Sequence, residues 1–200
     1  MSDFRSAVKI VNQMLVSNKR VGLWWDDELT QDVSHCDRRG FITVTDLNQL
    51  PELDALVCIT LRTNLPDLPV PHWKLVPQRV VAGIGCRRDT PFPLLAALLA
   101  RQLEAQQLDP LALKAIGSIT LKKNEQGLIQ LASCCRVPFE TFTADALREH
   151  EHRFPASSFV RKTVGTGSVS GPAASLLSHG TLLGETLREQ GVTITLGVSH

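Results

Sequence analysis

The sequence predicts an α/β protein: a small α/β domain over residues 1–76, then a second α/β domain over residues 77–200 with a mixed, mostly parallel sheet flanked by helices. Three observations carry this expectation. Short apolar runs of strand character alternate with segments of helical periodicity. Four of the 11 prolines fall between Asn64 and Pro77, where their spacing disfavours helix interiors and central strands and reads as a linker. Charge divides there too: residues 1–78 hold 8 Lys/Arg against 10 Asp/Glu, residues 79–200 hold 13 against 10, so a mild excess of +3 lies in the second part.

In the first part, Phe4, Val8, Val11 and Leu15 are spaced 4-3-4, one apolar stripe on a helix. A strand follows at Val21-Gly22-Leu23-Trp24-Trp25, then the acidic stretch Asp26-Asp27-Glu28, then a strand at Leu56-Val57-Cys58-Ile59-Thr60. The adjacent tryptophans read as packing groups rather than a ligand platform.

The second part opens on the apolar strand Val80–Cys86 and turns through Arg87-Arg88-Asp89-Thr90-Pro91 into a helix. Thr90 is a suitable N-cap and Pro91 a suitable first-turn residue, with Phe92, Leu95, Leu99 and Leu103 as the buried stripe. A strand over 115–121 leads to a helix over 126–135, a strand over 139–142 and a helix over 144–149. A glycine-rich stretch, Val164 to Gly171, enters another helix through Pro172, which ends at His179-Gly180 where a left-handed cap is wanted. Leu182–Glu185 and the alternating Val192–Val198 pair as a terminal hairpin and supply an antiparallel edge.

Composition narrows the function classes. With 200 residues, 43% hydrophobic, 20% charged and a net charge of +1, the chain is neither disordered nor driven to nucleic acid by bulk charge, which a pI near 7.7 also argues against. The longest aliphatic run, Leu94–Ala100, is far short of the ~20 residues a bilayer needs, and the N-terminus has no signal-like apolar core, so a cytoplasmic protein is expected. Five cysteines form no CxxC pair or zinc spacing and read as reduced packing residues.

Two loops share one design, a glycine pair after an extended segment followed by a helix start. Gly83-x-Gly85 leads to Arg87 and Arg88; Gly165-x-Gly167 leads to Ser168 and Ser170. Helix N-termini and guanidinium forks suit anions, although two tight turns with solvated arginines explain the spacing equally. The first loop lacks the third glycine of a dinucleotide fingerprint, the second the Lys-Ser/Thr of a P-loop. The turn Thr120-Leu121-Lys122-Lys123-Asn124-Glu125 sets Lys122 and Glu125 at a helix entry, either solvated or as a cation for an acidic ligand and a group that handles a proton. Gly167-Ser168-Val169-Ser170-Gly171 has its serines out of place for a nucleophile elbow. His150-Glu151-His152 lacks a third metal ligand, so no protein-bound metal is expected. Cys86 beside two arginines is either a nucleophile or a packing group.

Together, Gly83-Ile84-Gly85-Cys86-Arg87-Arg88 with Thr90-Pro91, Ile119-Thr120-Leu121-Lys122-Lys123 with Glu125, Ser158-Phe159-Val160-Arg161 with Val164 to Val169, and Val192-Thr193-Ile194-Thr195-Leu196 resemble the C-terminal domain of the cobalamin-biosynthesis family CbiG, also found alone as CobE. Residues 8–77, including Val21 to Trp25 and His72-Trp73-Lys74, resemble its middle region. The resemblance implies hydrolysis of the δ-lactone of cobalt-precorrin-5A, with release of acetaldehyde, to give cobalt-precorrin-5B. The alternative it allows is a non-catalytic module that binds a corrinoid intermediate. No cofactor is implied, since the substrate carries the cobalt. The implied partners are that corrinoid, the N-terminal domain that CbiG proteins carry upstream, and other pathway enzymes; nucleic acid and membrane are not among them. By the same analogy the substrate's acetates and propionates meet Arg87, Arg88, Lys122 and Arg161, with Gly83, Gly85, Cys86, Thr90, Gly165, Gly167 and Ser168 around them and Glu125 as base. Three departures stand out: Asp89 occupies a place that is often Gly, Ser170-Gly171 replaces a commoner pair ending in Glu, and the chain is expected to lack the N-terminal domain that CbiG proteins carry.

Overall fold

The computed structural model describes residues 4–151, 154 and 168–199, with the side chains of Phe4, Arg5 and Glu151 left aside. Two units emerge, residues 1–77 and 78–200.

The first unit is built on four parallel strands in the order β2-β1-β3-β4: β1 Val21–Trp25, β2 Phe41–Thr43, β3 Ala55–Ile59 and β4 His72–Leu75. Strand alternation sends Trp24 and Trp25 to opposite faces, each into a different apolar cluster. On one face helix α1 (Phe4–Val16) lays Val11, Met14 and Leu15 on Val21, Leu23 and Val57. Ala7 joins the buried side of that helix while Val8 is 40% exposed, so the stripe is rotated from the expected one. On the other face Leu47, Leu50, Leu53, Leu65, Leu68 and Val70 cover Leu56 and Cys58. The proline-rich segment read as a linker is therefore a working part of this unit: Leu68 is buried, and the Pro71 carbonyl accepts the Leu56 N–H at 2.9 Å. Its prolines are tolerated because β4, which they introduce, is an edge strand. The acidic stretch after β1 winds into a 3₁₀ turn, Asp27–Leu29, and a short helix α2, Thr30–Ser34.

The second unit has five strands in the order β7-β6-β5-β9-β8: β5 Val80–Cys86, β6 Leu113–Ile119, β7 Phe139–Phe142, β8 Leu182–Glu189 and β9 Val192–Val198. Strands β5, β6 and β7 pair in parallel, and β9 runs antiparallel to both β5 and β8. The one reversed strand is thus interior, wedged between β5 and β8, rather than at an edge. Helices α3 (Phe92–Ala105) and α4 (Gln126–Cys135) pack on each other; α5 (Ala144–Glu151) packs on α6 (Ser170–Leu177), which lies across β5, β6 and β9. The crossovers β5–β6 and β7–β8 travel in opposite directions across the sheet, and the shared right-handedness of such units sends α3 and α6 to opposite faces. Among the described residues no helix is long and apolar enough to cross a membrane.

Candidate functional site

The chain leaves β5 toward β6 and β7 on one side, and the β7–β8 crossover carries it back past β5 to the other, which leaves a switch point at the carboxyl end of β5, the place where open α/β sheets gather ligands. Because β9 is antiparallel, Cys86 at the end of β5 pairs with Val192 at the start of β9, and the two-residue turn Gln190-Gly191 sits at the same edge. The amino end of α6 arrives there as well. A Cβ placed on Gly85 would lie 3.4 Å from Val169 Cβ and 3.8 Å from Ser170 N, so the first glycine loop meets the start of α6.

That meeting gives Gly83 a packing task. A Cβ on Gly83 would collide with the Ser170 carbonyl oxygen and stand 2.5 Å from the Ala174 N. The absent side chains let α6 approach the sheet and leave no gap for a ligand against β5 at Gly83. Behind the loop, Ser118 Oγ donates to the Ile84 carbonyl at 2.7 Å. Thr195 Oγ1 donates to Ser170 Oγ at 3.2 Å and is 2.9 Å from Thr186 Oγ1, a buried hydroxyl chain under the α6 terminus that no sequence motif announced.

The rim is held by a carboxylate. Glu125, the cap residue of α4, accepts from Lys122 Nζ at 2.7 Å on Oε2 and from the Asp89 N–H at 2.7 Å on Oε1. One side chain thereby joins the β5 loop to the β6 loop, and both members of the ion pair are largely withdrawn from water, at 14% exposure for Lys122 and 8% for Glu125. Asp89 takes a φ of +57°, which turns its amide toward that carboxylate. Thr90 does not cap the following helix: Pro91 occupies the cap, and Thr90 Oγ1 donates to the Arg87 carbonyl at 2.8 Å, closing the loop on itself. Gly127 admits the Thr90 carbonyl into the first turn of α4.

Cys86, half-buried beside this clamp, has its thiol pushed up by burial; Lys122 and a Thr90 hydrogen bond act against that, and Glu125 adds to it. The thiol is thus kept protonated, contrary to activation by neighbouring arginines. Arg87 and Arg88 are exposed, and among the described residues neither guanidinium has an acidic partner. Ser168 is half-buried just before α6. Arg161, Gly165 and Gly167 lie outside the described residues. The edge therefore gathers unneutralised arginines, an ordered lysine and a helix terminus, an arrangement suited to a ligand with several carboxylates. His150 Nδ1 lies 3.1 Å from Ser175 Oγ, and among the described residues no group of three metal-binding side chains gathers.

The first unit has a polar locus of its own at the carboxyl ends of β1 and β3. Asp26 is buried and accepts from Thr60 Oγ1 at 2.8 and 2.9 Å and from the Leu61 N–H at 2.6 Å. Burial pushes its carboxyl up, against the pull of those hydrogen bonds and of Arg62. Arg62 pairs with Glu28, and Lys74 Nζ donates to the Arg62 and Thr63 carbonyls at 3.0 and 2.7 Å. The sequence reading noted Asp26 only as one of an acidic run; the signal was its place immediately after a strand.

Comparison with known proteins supplies the context. Residues 80–197 match the family described as Cobalamin synthesis G C-terminus, and residues 1–76 match the Cobalamin biosynthesis central region. All 200 residues are 81% identical to part of the cobalt-precorrin-5A hydrolase of Salmonella typhimurium, and 123 residues are 29% identical to the enzyme of that name from Priestia megaterium. The chain spans 57% of the first relative's length and 32% of the second's. Among solved structures, CobE, a protein from the cobalamin (vitamin B12) biosynthetic pathway, aligns with a TM-score of 0.56 at 32% identity, covering 62% of this chain and 93% of CobE.

Proposed function

The chain belongs to the cobalamin synthesis G family, and from that membership we propose that it acts in cobalamin biosynthesis, in the cytoplasm, on cobalt-precorrin-5A, as the central and C-terminal portion of the hydrolase that opens its δ-lactone and releases acetaldehyde. The observation that carries this reading is the 81% identity to the Salmonella hydrolase, sustained over every residue of the chain.

The geometry suits such a substrate. Cobalt-precorrin-5A is a polycarboxylate, and Arg87, Arg88 and Lys122 present three cations at one sheet edge. Their placement at a switch point, next to the amino end of α6, favours anionic side chains there. Ester opening by water needs donors aimed at the developing oxyanion and a group that takes the water's proton. Glu125 has an oxygen on Lys122 and an oxygen on the Asp89 amide, so its first task is to hold the rim together. Its part in water activation therefore depends on Lys122 turning toward a substrate carboxylate. Cobalt enters with the substrate and needs no resident cofactor of this chain.

Incubating the purified chain anaerobically with cobalt-precorrin-5A and assaying acetaldehyde tests the proposal. Product formed by the chain, alone or with the remainder of the relative's sequence added in trans, supports it. Saturable binding with no acetaldehyde in either case reduces the reading to a corrinoid-binding module.

A further inference from the structure

The strand-to-strand turn Gln190-Gly191 is absorbed by nothing described so far, yet it stands beside the arginine loop. Both residues have positive φ, +49° and +79°, and the flanking pair Glu189 and Val192 closes a two-residue hairpin. A hairpin of this type favours glycine at its second central position, and the φ of +79° at Gly191 strains any side chain placed there. Its surroundings add a second reason for glycine. The three atoms nearest to a Cβ on Gly191 would all belong to Arg87: Nε at 2.7 Å, Cδ at 2.9 Å and Cγ at 3.1 Å.

The Arg87 stem thus lies on the bare backbone of the turn, in space that any other residue would fill. Laying the stem on a fixed surface removes rotamer freedom before a ligand arrives, and that loss need not be repeated on binding. Its guanidinium has no acidic partner among the described residues, so the charge is left for a ligand. We infer that Gly191 is a positioning residue, and that the β8–β9 turn belongs to the anion site by shelving Arg87 in its binding orientation. The inference rests on the proposed role of Arg87 as a carboxylate clamp.

The test uses the full chain and anaerobic cobalt-precorrin-5A, with binding read from the corrinoid absorption spectrum. Arg87→Ala is expected to weaken binding about fivefold, in line with loss of one exposed charge-assisted contact, and Gly191→Asn about threefold, with a lowered melting temperature from the strain of a side chain at a φ of +79°. The deciding measurement is Gly191→Asn in the Arg87→Ala background, where it is expected to change affinity by less than about 1.5-fold, the non-additivity of residues that act as one. An equal effect of Gly191→Asn with and without Arg87, or none in either background, overturns the inference while leaving the clamp intact. No loss of affinity in Arg87→Ala removes the clamp role and the inference with it; Lys122→Met then reports whether the remaining edge binds the substrate.

Discussion

Glu125 is the residue on which the site's geometry turns, and its environment makes the consequences of changing it calculable. It is nearly buried, shares a proton-rich contact with Lys122 and accepts a backbone amide. Lys122→Met keeps the stem but strands the carboxylate, and a loss of about 2–3 kcal/mol in urea denaturation is expected, because breaking a withdrawn pair costs more than the pair contributes. Glu125→Gln retains an acceptor for the Asp89 amide and should lose only about 1 kcal/mol. In the other unit Cys58 offers a pH readout. Burial, aided by the nearby Asp26 charge, pushes its thiol up to about 12. The unfolded thiol ionises near 8.5, so in between the folded state holds more protons, and the stability this contributes is whole below about pH 8.5 and drains away as pH rises toward 12. Urea midpoints measured from pH 7.5 to 10.5 should fall, with a shallower fall in Cys58→Ala. At this scale the sequence was legible for the charged groups and silent on what packs against the glycines. Lys122 and Glu125 pair, and Glu125 reaches the loop of Arg87 and Arg88 through the Asp89 amide, while Gly83 and Gly85, which the resemblance places around the ligand, are met by the α6 backbone and by Thr193 Oγ1, 2.7 Å from a Cβ on Gly85. A glycine in a strand announces close approach and leaves unsaid what approaches.

Elements were readable wherever a periodic pattern met a strong stop. The strands Val21–Trp25, Val80–Cys86 and Phe139–Phe142 and the helix Gln126–Cys135 begin and end as the pattern indicates. Strands β2 and β4 escaped because β2 has three residues and β4 opens on His72, directly behind a proline run, so that neither shows a period of two long enough to register. Pairing with β1 and β3, a tertiary fact, creates them. The packing of α6 gives the sharpest test at this scale. Gly83→Ala sets a methyl group against the helix backbone at Ser170 and Ala174, neither of which can rotate away. A destabilisation of about 3 kcal/mol is expected by thermal or urea unfolding, whereas Gly117→Ala, which meets mainly the flexible Leu177 end and the Phe142 ring, should cost less.

For the molecule as a whole, the proposed site falls unevenly on the two units. Arg87, Arg88 and Lys122 all belong to residues 78–200, which also hold a complete five-stranded sheet with helices packed on it. Expressed alone, that segment should melt cooperatively and bind cobalt-precorrin-5A within about threefold of the 200-residue chain; a larger loss would show that the first unit supplies binding contacts. The sheet's layout has a further consequence, in time rather than space. Strand β9 fills the slot between β5 and β8, and Val80 pairs with Val198 across nearly the full length of the unit. During synthesis β5 therefore waits with one hydrogen-bonding flank unclaimed while more than a hundred further residues are made, and only the most distant strand can close it. Such long-range closure slows folding and leaves a sticky strand border open meanwhile, so this unit, rather than the first with its shorter-range pairs, is where nascent chains would need a chaperone's protection.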